Sequence, residues 1–283
     1  VVSTRNLLLF LDSQGRVIFA IGGQPADVAK WMENHDLMVE EYEYAEKHGK
    51  FPASGPNRRG TKAWNTGVSV GGGQPAPANI AMGSNEVLIE RLRNHEAVKR
   101  AAGFMDRVFK TLQPDMYAYY EDYMGRLRRA DPRLRPNWEP NVFAAATFNL
   151  GGQSIARIHT DDKNFAAGWC GIMAMGNFDY QKGGHMVLWD LKLVIEFPPG
   201  TVMFIPSAIL RHSNTTIRCG EKRMSFTQFS AGGLFRWVDT GMQTQKDFFA
   251  QGGVHEKTGT QRWQENVRLF RTWQSVLAQA NAR

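Results

Sequence analysis

A histidine and an aspartate separated by one residue lie near the middle of this 283-residue chain. In a strand, or where the chain leaves one, positions i and i+2 point to the same side. His159 and Asp161 therefore present an imidazole nitrogen and a carboxylate oxygen to one point, whereas Asp162 faces away. His212 completes the set if a neighbouring strand carries it. Two imidazoles and one carboxylate form the facial site of non-haem Fe(II), which leaves other positions open for ligands.

An arginine and a serine follow eleven and thirteen residues after His212. Arg223 and Ser225 share one face of a predicted strand, and the apolar Phe226 and Phe229 come directly after them. A guanidinium group binds a carboxylate through two parallel hydrogen bonds. This neighbourhood favours a buried anion partner over a surface salt bridge. The pair is therefore predicted to bind the far carboxylate of a dicarboxylate cosubstrate that chelates the metal at its other end.

The elements that must position these residues are short strands. Beyond Asn141 apolar residues recur with a period of two, and turn formers such as Pro198 to Gly200 separate the runs. Many short strands joined by turns predict a β-sandwich or jelly roll. The predicted strands are 193–197, 201–206 and 223–229.

The residues before 141 and after 240 carry mixed patterns. Turn formers between two apolar runs predict an N-terminal hairpin, and a Pro- and Gly-rich stretch predicts a long ordered loop or linker that could line a site. The predicted elements are a hairpin at 7–11 and 16–21, a short helix at 26–33, the loop at 51–83, a helix from Ser84 through Phe109, a second from Met116 to Leu127, and a closing helix from Trp263 to Leu277.

Composition limits the classes of protein that fit. Lys and Arg number 34 against 27 Asp and Glu, so the net charge is +7 with neutral His, and the pI is near 9.5. This excess predicts attraction to an acidic partner such as nucleic acid. Two cysteines are too few for a disulfide scaffold. No apolar run approaches the roughly 20 residues of a membrane helix, so we expect no membrane partner.

These residues together resemble the 2-oxoglutarate- and Fe(II)-dependent dioxygenases, which carry His-x-Asp, a distal His and a following Arg-x-Ser. The chain resembles more narrowly the fungal branch of the TET/JBP dioxygenases, over about two thirds of its length. The similar stretches are Gly67 to Asn79, Thr147 to Asn149, His159, Gly183 to Asp190, Pro199-Gly200, Ser225 to Gln228 and Gly232 to Trp237. The resemblance implies an α+β protein with a double-stranded β-helix, or jelly-roll, core flanked by helices and an N-terminal hairpin.

The family implies a role for each matching residue. His159, Asp161 and His212 would hold Fe(II), and Arg223 and Ser225 would bind 2-oxoglutarate. Asn149 resembles a position that helps bind the cosubstrate in related demethylases. His185 stays outside this set, since a histidine at a turn-strand boundary is more often structural. The implied reaction consumes O2 and 2-oxoglutarate and hydroxylates a methyl group.

A methylated base in DNA is the substrate that the resemblance implies. The first hypothesis is oxidation of 5-methylcytosine to 5-hydroxymethylcytosine and further oxidised forms. The second is demethylation of N6-methyladenine. Either reaction requires base flipping. Phosphate contacts are expected from two basic segments, and base contacts from polar residues near the metal. The residues are Arg58, Arg59, Lys62, Arg128 and Arg129 for phosphates, and Asn164 and Gln74 for the base.

Two other functions are also compatible with the sequence. A 2-oxoglutarate hydroxylase of a small molecule or protein side chain fits the same motifs, with the basic segments incidental. A non-catalytic cupin-like module is a third reading, which Arg223 and Ser225 disfavour. We expect a single dioxygenase domain over 1–283, with an N-terminal part at 1–140, a core at 141–240 and a C-terminal helical part at 241–283. A monomer and, by resemblance alone, a nuclear location are also expected.

Overall fold

The computed structural model describes residues 6–51, 62–71 and 74–281. The strands in this part of the chain are β1 Leu8–Leu11, β2 Val17–Gly23, β3 Ala63–Gly71, β4 Gln74–Asn79, β5 Ala145–Asn149, β6 Cys170–Asn177, β7 Met186–Leu188, β8 Leu193–Ile195, β9 Val202–Ile205, β10 His212–Asn214 and β11 Lys222–Phe229. The α-helices are α1 Val28–His48, α2 Glu86–Asn94, α3 Glu96–Leu112, α4 Pro114–Ala130, α5 Gly232–Asp239, α6 Gln245–Ala250, α7 Gly259–Val267 and α8 Trp273–Asn281. Single 3-10 turns occur at Gly83–Asn85 and Trp189–Leu191.

Two antiparallel sheets form the core. The large sheet has the order β1-β2-β9-β6-β11-β5-β3-β4, and the small sheet has the order β10-β7-β8. The small sheet packs on one face of the large one through an apolar cluster that includes Phe19, Ile172, Leu188 and Met203. This arrangement is the predicted jelly roll.

Helices cover the other face of the large sheet. The helix α1 buries Trp31, Met38 and Tyr42 at spacings of four and seven residues, and α3 and α4 add Phe109 and Tyr120. Burying side chains of this size contributes about 1.5–3 kcal/mol each. The Trp31 indole also donates a 2.7 Å hydrogen bond to the Gly200 carbonyl, so burial leaves that N–H satisfied.

Strand alternation divides β11 between the two faces. Met224 and Phe226 belong to the helix-side core, whereas Arg223, Ser225 and Thr227 face the side of the small sheet. The predicted division of this strand is therefore confirmed, because a period of two leaves each residue only one face. The predicted hairpin is confirmed by β1 and β2, and the 201–206 strand by β9.

The predicted loop over 51–83 is wrong for the residues that the structure describes. The segment contains β3, which pairs with β5 on one side, and β4, which forms the edge of the large sheet. Pro75 and Pro77 suggested a loop, but an edge strand tolerates residues that lack an N–H donor. Positions 52–61 and 72–73 lie outside the described residues.

Helix ends also differ from the predictions. The helix predicted over 26–33 continues to His48. Polar residues obscure its buried face in the sequence, but the buried positions recur every three or four residues along its whole length. The helix predicted from Ser84 to Phe109 breaks at His95, whose backbone is extended and whose ring accepts a hydrogen bond from the Ala97 N–H. The closing helix is two helices, α7 and α8, separated by residues 268–272.

The large sheet joins the N-terminal and central parts of the chain. Strands β1 to β4 precede residue 141, and β3 pairs directly with β5. A division at residue 140 therefore separates strands that share hydrogen bonds, and the single domain over 1–283 remains a proposal. No helix in the described ranges has the length and apolar character needed to cross a bilayer.

Candidate metal centre and anion pocket

Backbone pairing brings the two candidate histidine ligands together. The N–H of His159 donates to the carbonyl of His212 at 3.1 Å, and the reverse bond is 2.9 Å. The Asp161 N–H donates to the Ser207 carbonyl at 2.9 Å, which fixes the aspartate beside them. One ligand atom from each of His159, Asp161 and His212 lies within 4.8 Å of the others. Residues 53 positions apart in the sequence thus form one three-ligand group.

Each histidine is oriented by a carbonyl two residues before it. The Nδ1 atom of His159 lies 2.7 Å from the Arg157 carbonyl, and that of His212 lies 2.9 Å from the Leu210 carbonyl. A carbonyl can only accept, so Nδ1 carries the proton and the Nε2 lone pair is available to a metal. The donor set therefore fits a facial two-histidine, one-carboxylate metal site.

Asp161, and not Asp162, supplies the carboxylate. Asp161 Oδ1 lies 3.6 Å from His159 Nε2, whereas Asp162 is exposed and outside the three-ligand group. Asn164 lies on the other side of Asp161, with its amide nitrogen 3.5 Å from Oδ2 and 3.2 Å from the Ser207 hydroxyl. The predicted base-reading residue is thus next to the metal ligands.

Arg223 is a buried cation with no acidic partner among the described residues. It is 4% exposed, its Nη1 donates to the Ser154 carbonyl at 3.1 Å, and its Nε is buried without a hydrogen-bond partner. Burial lowers the pKa of Arg223 to about 10, which still leaves it charged at neutral pH. A buried guanidinium with an unused donor is costly unless an anion binds there. This observation fits the predicted carboxylate.

Neighbouring residues complete the anion pocket. Asn149 pairs with Ser225 across β5 and β11, and its amide donates to the Ser225 hydroxyl at 3.0 Å. Gly184 has a positive φ of 70°, and a Cβ there would lie 2.6 Å from the Phe178 ring and 3.1 Å from Arg223 Cδ. Glycine at this position therefore leaves room for the Phe178 ring and, beside it, for the arginine.

One cleft, partly open to solvent, contains both groups. Its walls include His159, Asp161 and His212 at one part and Asn149, Arg223 and Ser225 at another. The structure thus brings together all six residues predicted to bind metal or cosubstrate. Sequence reasoning missed several residues of the same walls, namely Ser154, Cys170, Ile172, Met186, Asn214 and Thr227. Strand alternation placed Thr227 on the face of Ser225 without assigning it a role, whereas Ser154 lies in an irregular segment and carries no comparable signal.

The predicted DNA-contact residues are dispersed. Lys62 is already paired with Glu46 at 3.0 Å, and Gln74 begins the edge strand β4. Arg128 lines a different, smaller cleft on α4, which packs on the helix side of the large sheet, and Arg129 is exposed on the same helix. Arg58 and Arg59 lie outside the described residues.

His185 does not join the metal ligands. Its Nδ1 lies 3.2 Å from the Thr215 hydroxyl, and its N–H donates to the same oxygen at 2.9 Å. The three-ligand group does not include it, in agreement with the sequence prediction.

Comparisons with known proteins found similarity in structure but not in sequence. No protein family model matches the chain, and no curated protein matches it in sequence. NgTET1 in complex with 5mC DNA gives a TM-score of 0.59 at 16% identity, covering 81% of this chain and 78% of that one. A 2OG-Fe(II) oxygenase family oxidoreductase from Burkholderia pseudomallei gives 0.36 at 16% identity, covering 68% and 76%. A Pseudomonas putida prolyl-4-hydroxylase gives 0.39 at 14% identity, covering 70% and 85%.

Of these three, the NgTET1 likeness alone exceeds a TM-score of 0.5. At 16% identity it establishes the fold. The chain therefore shares the jelly-roll fold of NgTET1.

Proposed function

We propose that this protein is a 2-oxoglutarate- and Fe(II)-dependent dioxygenase that oxidises methylated bases in DNA. The observation that carries the proposal is the shared cleft: a facial set of His159, Asp161 and His212 opens into the same space as the unpaired Arg223 guanidinium. A metal and a dicarboxylate require these two features side by side. The NgTET1 fold supports the same chemistry.

The chain's own residues have distinct tasks in this reaction. When bound, Fe(II) supplies O2 activation, coupled to the conversion of 2-oxoglutarate to succinate and carbon dioxide and of a methyl group to hydroxymethyl. His159, Asp161 and His212 would hold the metal, and their backbone contacts keep the Nε2 atoms aimed at it. Arg223 and Ser225 would bind the far carboxylate, with Asn149 orienting the serine. Ile172 and Met186 contribute apolar wall to the cleft.

DNA as the substrate is supported by two observations. NgTET1, which has the same fold, is bound to 5mC DNA. Exposed Arg157 and Lys163 adjoin the segment that carries His159 and Asp161, in a chain of net charge +7. A base stacked inside a duplex cannot enter this cleft, so we infer that the target is flipped into it.

The same proposal includes more specific assignments of branch, target base, DNA contacts, oligomeric state and location. They comprise membership of the fungal TET/JBP branch, 5-methylcytosine as the first target and N6-methyladenine as the second, and base contacts by Asn164 and Gln74. They also comprise a monomer, a nuclear location and phosphate contacts by Arg58, Arg59, Lys62, Arg128 and Arg129, which would add to those of Arg157 and Lys163 beside the cleft.

Mass spectrometry of nucleosides tests chemistry and substrate together. Duplexes containing 5-methylcytosine or N6-methyladenine are incubated with protein, Fe(II), ascorbate and 2-oxoglutarate, with succinate measured in parallel. We expect 5-hydroxymethylcytosine or more oxidised bases from the wild type, with one succinate for each oxidation step, and neither product from Asp161→Ala. Succinate that forms without any change in either base would favour a small-molecule or protein substrate. Absence of both products would overturn the proposed reaction.

A further inference from the structure

Residues 152–156 connect the two sheets at the anion end of the cleft. On the large sheet, the Arg223 N–H donates to the Gly152 carbonyl at 2.7 Å and the Ser154 N–H donates to the Arg223 carbonyl at 3.0 Å. On the small sheet, the Asn214 N–H donates to the Ala156 carbonyl at 3.2 Å. This segment, called here the sheet connector, therefore contacts both the strand of Arg223 and the strand of His212.

The side chain of Asn214 adds two bonds to the sheet connector. Its Oδ1 accepts from the Ala156 N–H at 2.7 Å, and its Nδ2 donates to the Ser154 carbonyl at 3.0 Å. A carboxamide has the donor and acceptor of a peptide group, so Asn214 extends the pairing of β10 beyond its backbone. A third bond, from Nδ2 to the carbonyl of Thr215 at 3.1 Å, fixes the orientation of the amide.

The Ser154 carbonyl also accepts a hydrogen bond from Arg223, the residue proposed to bind 2-oxoglutarate. Ser154 O accepts from Arg223 Nη1 at 3.1 Å as well as from Asn214 Nδ2 at 3.0 Å. A carbonyl oxygen has two lone pairs, so these two donors use both. The position of the guanidinium thus depends on a carbonyl that Asn214 locates.

We propose that Asn214 is a positioning residue for the 2-oxoglutarate carboxylate, acting through Ser154 O on Arg223. The proposal rests on the proposed function, since it presumes that Arg223 binds that carboxylate. Asn214 itself lines the cleft two residues after His212. It thereby links the strand that carries a metal ligand to the residue that binds the other end of the cosubstrate.

Calorimetric titration with two 2-oxo acids tests this role. The Mn(II)-loaded protein is titrated with 2-oxoglutarate and with 2-oxobutyrate, which has the chelating end but no far carboxylate. We expect Asn214→Ala to raise the Kd for 2-oxoglutarate by about tenfold. This is the smaller effect typical of removing a residue that orients a ligand-binding side chain. The Kd for 2-oxobutyrate should change by less than about twofold, because that ligand does not use Arg223.

Thr215→Val is the matched control. Thr215 is adjacent in sequence and bonds to His185, but it does not line the cleft. We expect it to lower the melting temperature without changing either Kd. In an Arg223→Met background, Asn214→Ala should weaken 2-oxoglutarate binding by less than a further factor of about two, because the residue through which it acts is gone. Should Asn214→Ala fail to fold, Asn214→Ser removes the same reach with less loss of volume.

The outcomes separate the two proposals. An unchanged Kd for 2-oxoglutarate in the Asn214 variant, or an equal loss for both acids, would overturn the positioning role while leaving the function intact. A wild type that binds 2-oxoglutarate no more tightly than 2-oxobutyrate would overturn the role of Arg223, and the inference about Asn214 with it.

Discussion

The candidate metal ligand Asp161 is followed in the sequence by a second aspartate, Asp162, which allows a direct comparison of the two carboxylates. Asp162 has the same side chain and adjoins it in sequence, but it is exposed and lies outside the three-ligand group. The backbone bond from Asp161 to Ser207 and the alternation of side chains decide which carboxylate faces the histidines.

Replacing these two aspartates in turn tests the metal site. We expect Asp161→Ala to abolish succinate formation and to lose Fe(II) on dialysis, because two imidazoles remain as the only protein ligands. Asp162→Ala should retain both properties. Metal content and succinate release are measured on protein whose circular dichroism matches the wild type. Full activity of Asp161→Ala with added iron would contradict the assignment.

Arg223 predicts opposite effects on stability and on binding. In the protein without ligand the guanidinium is buried with an unused Nε donor, so an apolar side chain of similar length removes a desolvation cost. We expect Arg223→Met to melt at or above the wild-type temperature. Its affinity for 2-oxoglutarate should fall by about 100-fold, as for loss of one member of a buried charge pair.

Differential scanning calorimetry and titration with 2-oxoglutarate measure the two effects on the same samples. A large drop in the melting temperature of Arg223→Met would mean that the arginine serves the fold and not a ligand. Arg157→Met, at an exposed position outside the cleft walls, is the control and should change neither quantity.

At the scale of elements, α1 is tied to the sheet beside the anion pocket. His35 on this helix is 3% exposed, and its Nε2 accepts the N–H of Gly176 at 3.1 Å. Gly176 lies opposite Arg223 in the pairing of β6 with β11. Burial lowers the pKa of His35, and the adjacent Asp36 opposes this effect without reversing it.

This lowered pKa predicts how stability depends on pH. The folded protein binds its proton less readily than the unfolded chain, whose histidine pKa is about 6.5. The contribution of His35 is therefore complete above that value and is lost as the pH falls toward the folded pKa. Between pH 7.5 and 5.5 we expect the wild type to lose more thermal stability than His35→Gln, which keeps an acceptor for Gly176. Equal losses in calorimetric scans of the two proteins would contradict this account.

At the scale of the whole molecule, the positive charge is spread over both faces. Arg157 and Lys163 adjoin the candidate metal ligands, whereas Arg128 and Arg129 belong to α4 on the helix side of the large sheet. The sequence prediction assigned phosphate contacts to the second pair. The geometry of base flipping favours charges near the cleft, since the flanking phosphates must approach it.

Charge reversal at each pair compares the two surfaces. We expect Arg157→Glu with Lys163→Glu to weaken binding to a methylated duplex and to reduce the salt dependence by about two units of slope, roughly one for each lost contact. Arg128→Glu with Arg129→Glu should have a smaller effect. Binding is measured by fluorescence anisotropy at several salt concentrations. A larger effect of the α4 pair would place the DNA on the helical side and contradict the cleft as its binding surface.

Local features of this fold follow from the sequence more directly than contacts between distant residues. The alternation in β11 placed Arg223 and Ser225 on one face, because in a strand the face of a side chain follows from its position alone. The Pro- and Gly-rich segment showed no such pattern. Residues 63–71 form a strand through pairing with β5 on one side and β4 on the other. The predicted helix ends were wrong where a capping residue such as His95 interrupts a continuous apolar pattern.

The sequence by itself determined the chemistry available: two histidines, one aspartate and an arginine in the order and spacing of an iron and 2-oxoglutarate site. Tertiary structure alone decided that His212 meets His159, that no acid of the described chain neutralises Arg223, and that Asn214 connects the two sheets at Ser154. The reason is physical. Local geometry fixes which way a side chain points, whereas contacts between residues far apart in the chain depend on how the sheets pack, which a single stretch of sequence does not encode.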